Sequence, residues 1–180
     1  MRPAHLYPPV WRWTIPSVGL DATLAGLLEG GRRGVEAGVL WLGPRASEST
    51  VTAVVLPRGP GVLQRSGTWS ISPEALGVVT TWASKRGVSL LGIAHCHGGP
   101  WVQMSQTDRD HLVHAPDMLA IIVGMGGRET DLNRWGWNLF EDGRYREMLG
   151  PERRRRVDAG AGGSCGVFEA SAGGVIPVFA

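Results

Sequence analysis

His95-Cys96-His97-Gly98-Gly99-Pro100-Trp101-Val102-Gln103-Met104-Ser105-Gln106-Thr107-Asp108 follows directly on Val88 to Ala94 (VSLLGIA), an apolar run with the length and composition of a buried strand. Two histidines one residue apart therefore stand at a strand end, and Gly98-Gly99-Pro100 supplies a turn that lets both reach one point. Ser105 or Thr107 can cap a short helix running through His114, each being followed three residues on by an aspartate. Asp108 then lies at the start of that helix, where its carboxylate can return to the histidines. Two imidazoles and a carboxylate suit Zn²⁺, and three protein ligands leave a fourth position for water. Cys96 points away from the ion if its two neighbours point towards it, which makes it a core residue. His-x-His alone more often marks ordinary strand-end histidines; Asp108 is what turns the reading towards a metal.

Working outward, the order is helix and strand mixed, without a regular βαβ alternation. Upstream, Leu20, Leu24, Leu27 and Leu28 recur at helical spacing and stop at Gly30-Gly31. Val35 to Leu42 (VEAGVLWL) and Ser49 to Leu56 (STVTAVVL) read as strands between Gly and Pro turns. Gly59 to Ile71 is rich in Gly, Ser and Pro and reads as a connection. Ser72-Pro73-Glu74 then gives a cap, a first-turn proline and an acidic residue for a helix that ends at Gly87. Downstream, Met118 to Val123 (MLAIIV) is a core strand, and Arg134 to Phe140 with Gly143 to Met148 form a hairpin about Glu141-Asp142-Gly143. Trp135 and Trp137 alternate on that hairpin and pack.

The chain of 180 residues, 43% of them hydrophobic, can bury one core, so a single globular unit is expected. Three segments are anticipated within it: a Pro-rich leader (1–16), a catalytic domain (17–150), and an Arg- and Gly-rich tail (151–180), poorly ordered or weakly attached. Val175 to Phe179 can add a strand or occupy a groove. A net charge of +2 gives no electrostatic footprint for nucleic acid. Arg153 to Arg156 beside a glycine-rich stretch reads as a solvated segment, and nucleic-acid binding would rest on those four arginines alone. The two cysteines, Cys96 and Cys165, do not suggest a disulfide framework. Nowhere do 18 apolar residues follow one another, so no membrane span or signal peptide is expected, and a cytoplasmic location is.

The constellation resembles the JAB/MPN metalloenzymes, the JAMM proteases. Their signature is a glutamate on an early strand, then His-x-His, seven residues, Ser, two residues and Asp. Gly98 to Met104 supply the seven residues here, and Gln106-Thr107 separate Ser105 from Asp108. Glu36, in Val35-Glu36-Ala37-Gly38-Val39-Leu40-Trp41-Leu42-Gly43, is similar to the family's glutamate strand with its Gly-x-Leu-x-Gly ending. Without that context a glutamate after Arg32-Arg33 would read as a surface charge. The likeness spans Leu20 to Phe140, with one departure: Gly98 replaces the proline that usually follows the second histidine.

The resemblance implies an α/β fold of the α+β type, a mixed, curved sheet flanked by helices in the JAB/MPN, cytidine-deaminase-like architecture, with the metal at one sheet end. It implies zinc on His95, His97 and Asp108, Glu36 as general base, and Ser105 stabilising the oxyanion. It further implies hydrolysis after the C-terminal glycine of a ubiquitin-like protein. The small size is similar to that of bacterial stand-alone members, which act beside E1-like and E2-like enzymes in conjugation operons, some of them antiviral. Processing of a ThiS/MoaD-like sulfur carrier is the related alternative, and a non-catalytic MPN scaffold, which usually loses ligands, is the other. His5, His111 and His114 lie outside the ligand set.

Overall fold

Two runs with no polar alternation, Gly38–Gly43 and Leu119–Val123, are buried at every residue and demand cover on both faces. The computed structural model, which describes residues 8–178, places both inside one large sheet. Residues 1–7 of the expected leader, His5 among them, lie outside the described residues.

In chain order the first half comprises β1 (Arg12–Pro16), α1 (Ser17–Arg32), β2 (Gly38–Gly43), β3 (Glu48–Thr50), β4 (Ala53–Pro57), β5 (Val62–Arg65), β6 (Thr68–Ile71) and α2 (Pro73–Ser84). Then come β7 (Ser89–Cys96), α3 (Gln106–His111), β8 (Leu119–Val123), the single turn α4 (Gly124–Gly127), β9 (Gly136–Glu141) and β10 (Arg144–Glu147). The last elements are α5 (Gly150–Arg156), β11 (Val157–Ala161), β12 (Gly166–Ser171) and β13 (Gly174–Pro177). The main sheet runs β10-β9-β8-β7-β2-β4-β12-β13, with β7–β8 and β4–β12 parallel and the other pairs antiparallel. This is the mixed α/β sheet with flanking helices that the sequence leads one to expect. No described helix is long and apolar enough to cross a membrane.

Each central strand feeds two cores. On one face Val39, Trp41, Leu91, Ala94, Cys96, Leu119 and Ile121 pack with Leu20 and Leu27 of α1; on the other, Leu40, Leu42, Ile93, Ala120 and Ile122 pack with Val79 and Ala83 of α2 and with Trp69. The second helix starts where its cap predicts, the Ser72 hydroxyl accepting from the Ala75 amide at 3.2 Å. The β9–β10 hairpin turns through Asp142 (φ 50°) and Gly143 (φ 79°), the left-handed pair that a two-residue turn requires.

Several expectations are corrected. Helix α1 runs one residue beyond the expected glycine stop, to Arg32, with the Arg33 and Gly34 amides donating to the Gly30 and Gly31 carbonyls. A Cβ at Gly31 would lie 2.0 Å from the Gly126 carbonyl oxygen, so that glycine also serves close backbone approach. Residues 59–71 are not a plain connection, since β5 and β6 pair across Ser66-Gly67. The helix after Ser105 ends at His111 rather than at His114. The leader includes β1, the middle strand of a small parallel sheet β11-β1-β3.

The largest correction concerns 151–180, which is not a loose tail through its described residues. β11 pairs with β1, β12 joins the main sheet beside β4, and β13 folds back on β12. Val157, Val167, Phe168 and Val175 supply strand-forming residues between the glycines, and Phe168 packs edge-on against Trp82 at 4.7 Å. Nor is the arginine run simply solvated: Arg156 is buried and donates to the carbonyls of Val10 and Trp11.

Candidate metal centre

Alternation along β7 sends Cys96 to the α1 side and His95 and His97 to the other. The Cys96 thiol accordingly lies 3.7 Å from the Leu27 carbonyl, while its sulfur accepts from the Ala37 amide at 3.3 Å. His95 stands opposite Gly38 of β2 and Ile122 of β8. His97 sits just past the strand, its amide donating to the Val123 carbonyl at 3.0 Å and its carbonyl accepting from Gly126 at 2.8 Å. That second bond needs the chain to double back after β8. Met125, Gly126 and Gly127 all adopt positive φ to do so.

The loop after His97 returns at Asp108 through a reciprocal cap on α3. Ser105 Oγ accepts from the Asp108 amide at 3.1 Å, and Asp108 Oδ2 accepts from the Ser105 amide at 2.7 Å. The serine is the cap, not Thr107, and it fixes the carboxylate's direction. Glu36 arrives from the other side, just ahead of β2, where its amide donates to the Arg65 carbonyl of β5 at 2.9 Å. At 6% exposed it is a buried acid, not a surface charge.

All five sequence-predicted residues are thus brought to one end of the sheet. His95 Nε2 is 3.2 Å from His97 Nε2 and 3.1 Å from Asp108 Oδ1, and His97 Nε2 is 3.2 Å from Asp108 Oδ2. Ligand atoms of Glu36, His95 and His97 also lie within 4.8 Å of one another, so either carboxylate can complete a set of three. Asp108 lies closer to both histidines than the 4.8 Å that bounds the Glu36 group. A tetrahedral shell with bonds of about 2.0–2.1 Å has edges of about 3.3–3.4 Å, close to the 3.2 Å between the two imidazole nitrogens, while Asp108 spans them with one oxygen on each. The tautomer agrees for His97: its Nδ1 lies 3.0 Å from the Trp101 carbonyl and donates to it, leaving the Nε2 lone pair facing the others. Lone pairs converging this closely suit a shared cation.

The electrostatics follow from burial and crowding. Burial pushes the Glu36 carboxyl up to about 7, with the His97 charge opposing and the Asp108 charge adding. For Asp108 burial acts upward, but hydrogen bonds with His95 and His97 outweigh it and hold the carboxyl well below its usual range. His97 is raised despite burial, which acts downward, because Asp108 and Glu36 both favour its cation.

Of the remaining histidines, His111 is exposed on α3, and His114 donates to the Arg109 carbonyl at 2.6 Å while stacked on Phe140. Sequence reasoning missed Trp69, whose indole lies nearly parallel to the His95 ring, 14° off at a centroid distance of 6.4 Å. It also missed the Trp101 carbonyl. Strand alternation in Val62-Leu63-Gln64-Arg65-Ser66-Gly67-Thr68-Trp69-Ser70-Ile71, with a central Ser-Gly, is the signal that points to a hairpin there.

No family model matches the chain, and no curated protein matches it in sequence. In structure it is similar to a protein of Desulfitobacterium hafniense, with a TM-score of 0.59 and 18% identity over 84% of this chain and 94% of that one. A JAB1/MPN domain protein from Archaeoglobus fulgidus also matches, with a TM-score of 0.38 and 16% identity over 76% of this chain and 93% of that one. The first likeness is one of fold.

Proposed function

We propose that this chain is a JAMM-type zinc peptidase or isopeptidase, cleaving the bond after the C-terminal glycine of a ubiquitin-like protein in a conjugate or a precursor. The observation that carries the reading is the triangle of His95, His97 and Asp108 at 3.1–3.2 Å with the buried acid Glu36 beside it. Two imidazoles and one carboxylate suit zinc and leave an open coordination position. A zinc ion bound there supplies positive charge at the scissile carbonyl and lowers the pKa of water to roughly 7.

The chain's own groups divide the remaining work. Glu36, buried beside the two imidazoles, would hold the attacking water, take its proton and pass that proton to the leaving amine. Ser105 uses its oxygen to accept from Asp108, which leaves its hydroxyl hydrogen for a developing oxyanion. Asp108 would complete the ligand set with the two histidines, and the Trp101 carbonyl fixes the tautomer of His97. A slender glycine tail fits this surroundings: Gly98 and Gly99 present no side chain, and the β5–β6 hairpin, tied to Glu36, has only two strands and offers an edge for an extended segment.

Two measurements test the proposal together. Metal analysis after loading with zinc should find one ion per chain, and a ubiquitin-like fusion extended beyond its terminal glycine should be cut. Glu36→Gln should keep the zinc and lose about 10³-fold in cleavage rate. Failure to take up zinc, or wild-type cleavage by Glu36→Gln, would show the reading to be wrong. Preferential cleavage of a ThiS/MoaD-like fusion would assign the substrate to the sulfur-carrier branch.

A further inference from the structure

His95 is the most deeply buried of the metal-facing residues, at 1% exposed, and its second ring nitrogen, Nδ1, has no hydrogen-bond partner among the described residues. That is unusual for an imidazole facing a metal, which ordinarily donates its other N–H to a carboxylate, a carbonyl or water. His97 follows the ordinary pattern through the Trp101 carbonyl at 3.0 Å. Some other contact must set the His95 ring angle.

The neighbouring packing supplies one. Gly38 stands directly across from His95 in the β2–β7 register, so this position has no side chain on β2. Trp69 of β6 fills the space: a Cβ at Gly38 would lie 2.4 Å from Trp69 Cε2 and 2.6 Å from its Cδ2. The indole is itself 4% exposed, its Nε1 is likewise unpartnered, and its plane is 14° from that of the His95 ring. Trp69 therefore makes no hydrogen bond that would explain its burial here. Its contribution is a flat wall.

We infer that Trp69 is a positioning residue for the metal, holding the His95 ring by an aromatic face where a hydrogen bond to Nδ1 would ordinarily hold it. Gly38 is the complementary requirement, because any side chain there displaces the wall. The two metal-facing histidines are thus oriented by different physics, one by a carbonyl on the loop and the other by a ring on the β5–β6 hairpin. The inference rests on the metal reading of His95, His97 and Asp108, and it links the hairpin to metal retention.

The test uses the full chain and the metals alone. Zinc affinity is measured by chelator competition, and the visible spectrum of the Co²⁺-substituted protein reports ligand geometry, with thermal unfolding of the metal-free form as the folding control. Trp69→Leu keeps an apolar side chain, smaller and without a flat face, and should bind zinc about tenfold more weakly with an altered Co²⁺ spectrum. Trp69→Phe keeps a face and should restore both to near wild type. Should the leucine variant not fold, Trp69→Met takes its place with the same expectation. A folded leucine or methionine variant with zinc affinity within twofold of wild type and an unchanged spectrum overturns the inference, as does a phenylalanine variant no better than leucine. Wild-type protein that binds neither metal overturns the underlying reading instead.

Discussion

Two parts of this molecule bury charged side chains, and they do so in opposite ways. Arg156 is 5% exposed, and every contact it makes joins donor to acceptor: Nε to the Trp11 carbonyl at 3.1 Å, Nη2 to that of Val10 at 3.3 Å, Nη1 to Glu152 at 3.2 Å. Its guanidinium also lies over the rings of Trp11 and Trp13, at 4.7 and 5.1 Å. At the end of β7, by contrast, two imidazoles and a carboxylate meet with their polar atoms 3.1–3.2 Å apart and a second carboxylate nearby. A buried charge whose partners are complementary is a fastening. Four titratable groups crowded at one buried point are instead a candidate site for a cation.

That contrast breaks cleanly under substitution. Asp108→Asn removes the carboxylate of the proposed zinc site and should weaken zinc binding by more than about 100-fold, read by chelator competition. It should also abolish the thermal stabilisation that zinc gives the wild type, about 2.7 kcal/mol at a hundred times its Kd. Arg156→Met should do the reverse. Breaking a buried, hydrogen-bonded cation costs about 3 kcal/mol, and removing this one separates α5 from β1, while zinc affinity stays within twofold. For a chain of this size the loss corresponds to a drop in Tm of roughly 6–12 °C. A variant at either place that moved both zinc affinity and the stability of the metal-free protein would show the two regions to be coupled.

How far each region is legible in the sequence follows from the range of its contacts. His95, His97, Ser105 and Asp108 lie within fourteen consecutive residues, where a strand end, a glycine turn and a capped helix start bring them together locally. The Ser72 cap and the Asp142-Gly143 turn are readable for the same reason, since each is a local backbone requirement met by a side chain type. Gly38 and Trp69 are not readable as a pair, because their meeting depends on the β2–β7 register and on a hairpin folded over it. The glycine-rich segment after residue 151 fails for a similar reason: its strands are stabilised by parallel pairing with β1 and β4, about a hundred residues or more away in the chain. Composition describes what such a segment does alone, not what a waiting sheet edge does to it. Arg156 shows the same limit, since a run of arginines says nothing about which one finds two tryptophans and two free carbonyls.

The smallest effect distinguishes what holds Arg156 in place. Hydrogen bonds from Arg146, opposed by burial and aided by Arg156, pull the Glu152 carboxyl down from 4.5 to about 2. A depressed carboxyl contributes stability above its unfolded pKa and loses it as pH falls through the folded value, so this contribution is complete at pH 7 and fades between about 4.5 and about 2. The Glu152 and Arg146 side chains are 23% and 36% exposed, so solvent screening limits the contribution to about 1 kcal/mol. Glu152→Gln should therefore lower the unfolding free energy by up to that amount at pH 7, with the difference from wild type shrinking as pH drops below 4.5 and as salt rises. A difference constant from pH 7 to pH 3 would mean that Glu152 acts by shape and not by charge. If it shrinks as expected while Arg156→Met still costs about 3 kcal/mol, most of the fastening belongs to the Val10 and Trp11 carbonyls and the two indole faces. Those partners are neutral, so they go on holding Arg156 at a pH that has already protonated its one charged neighbour.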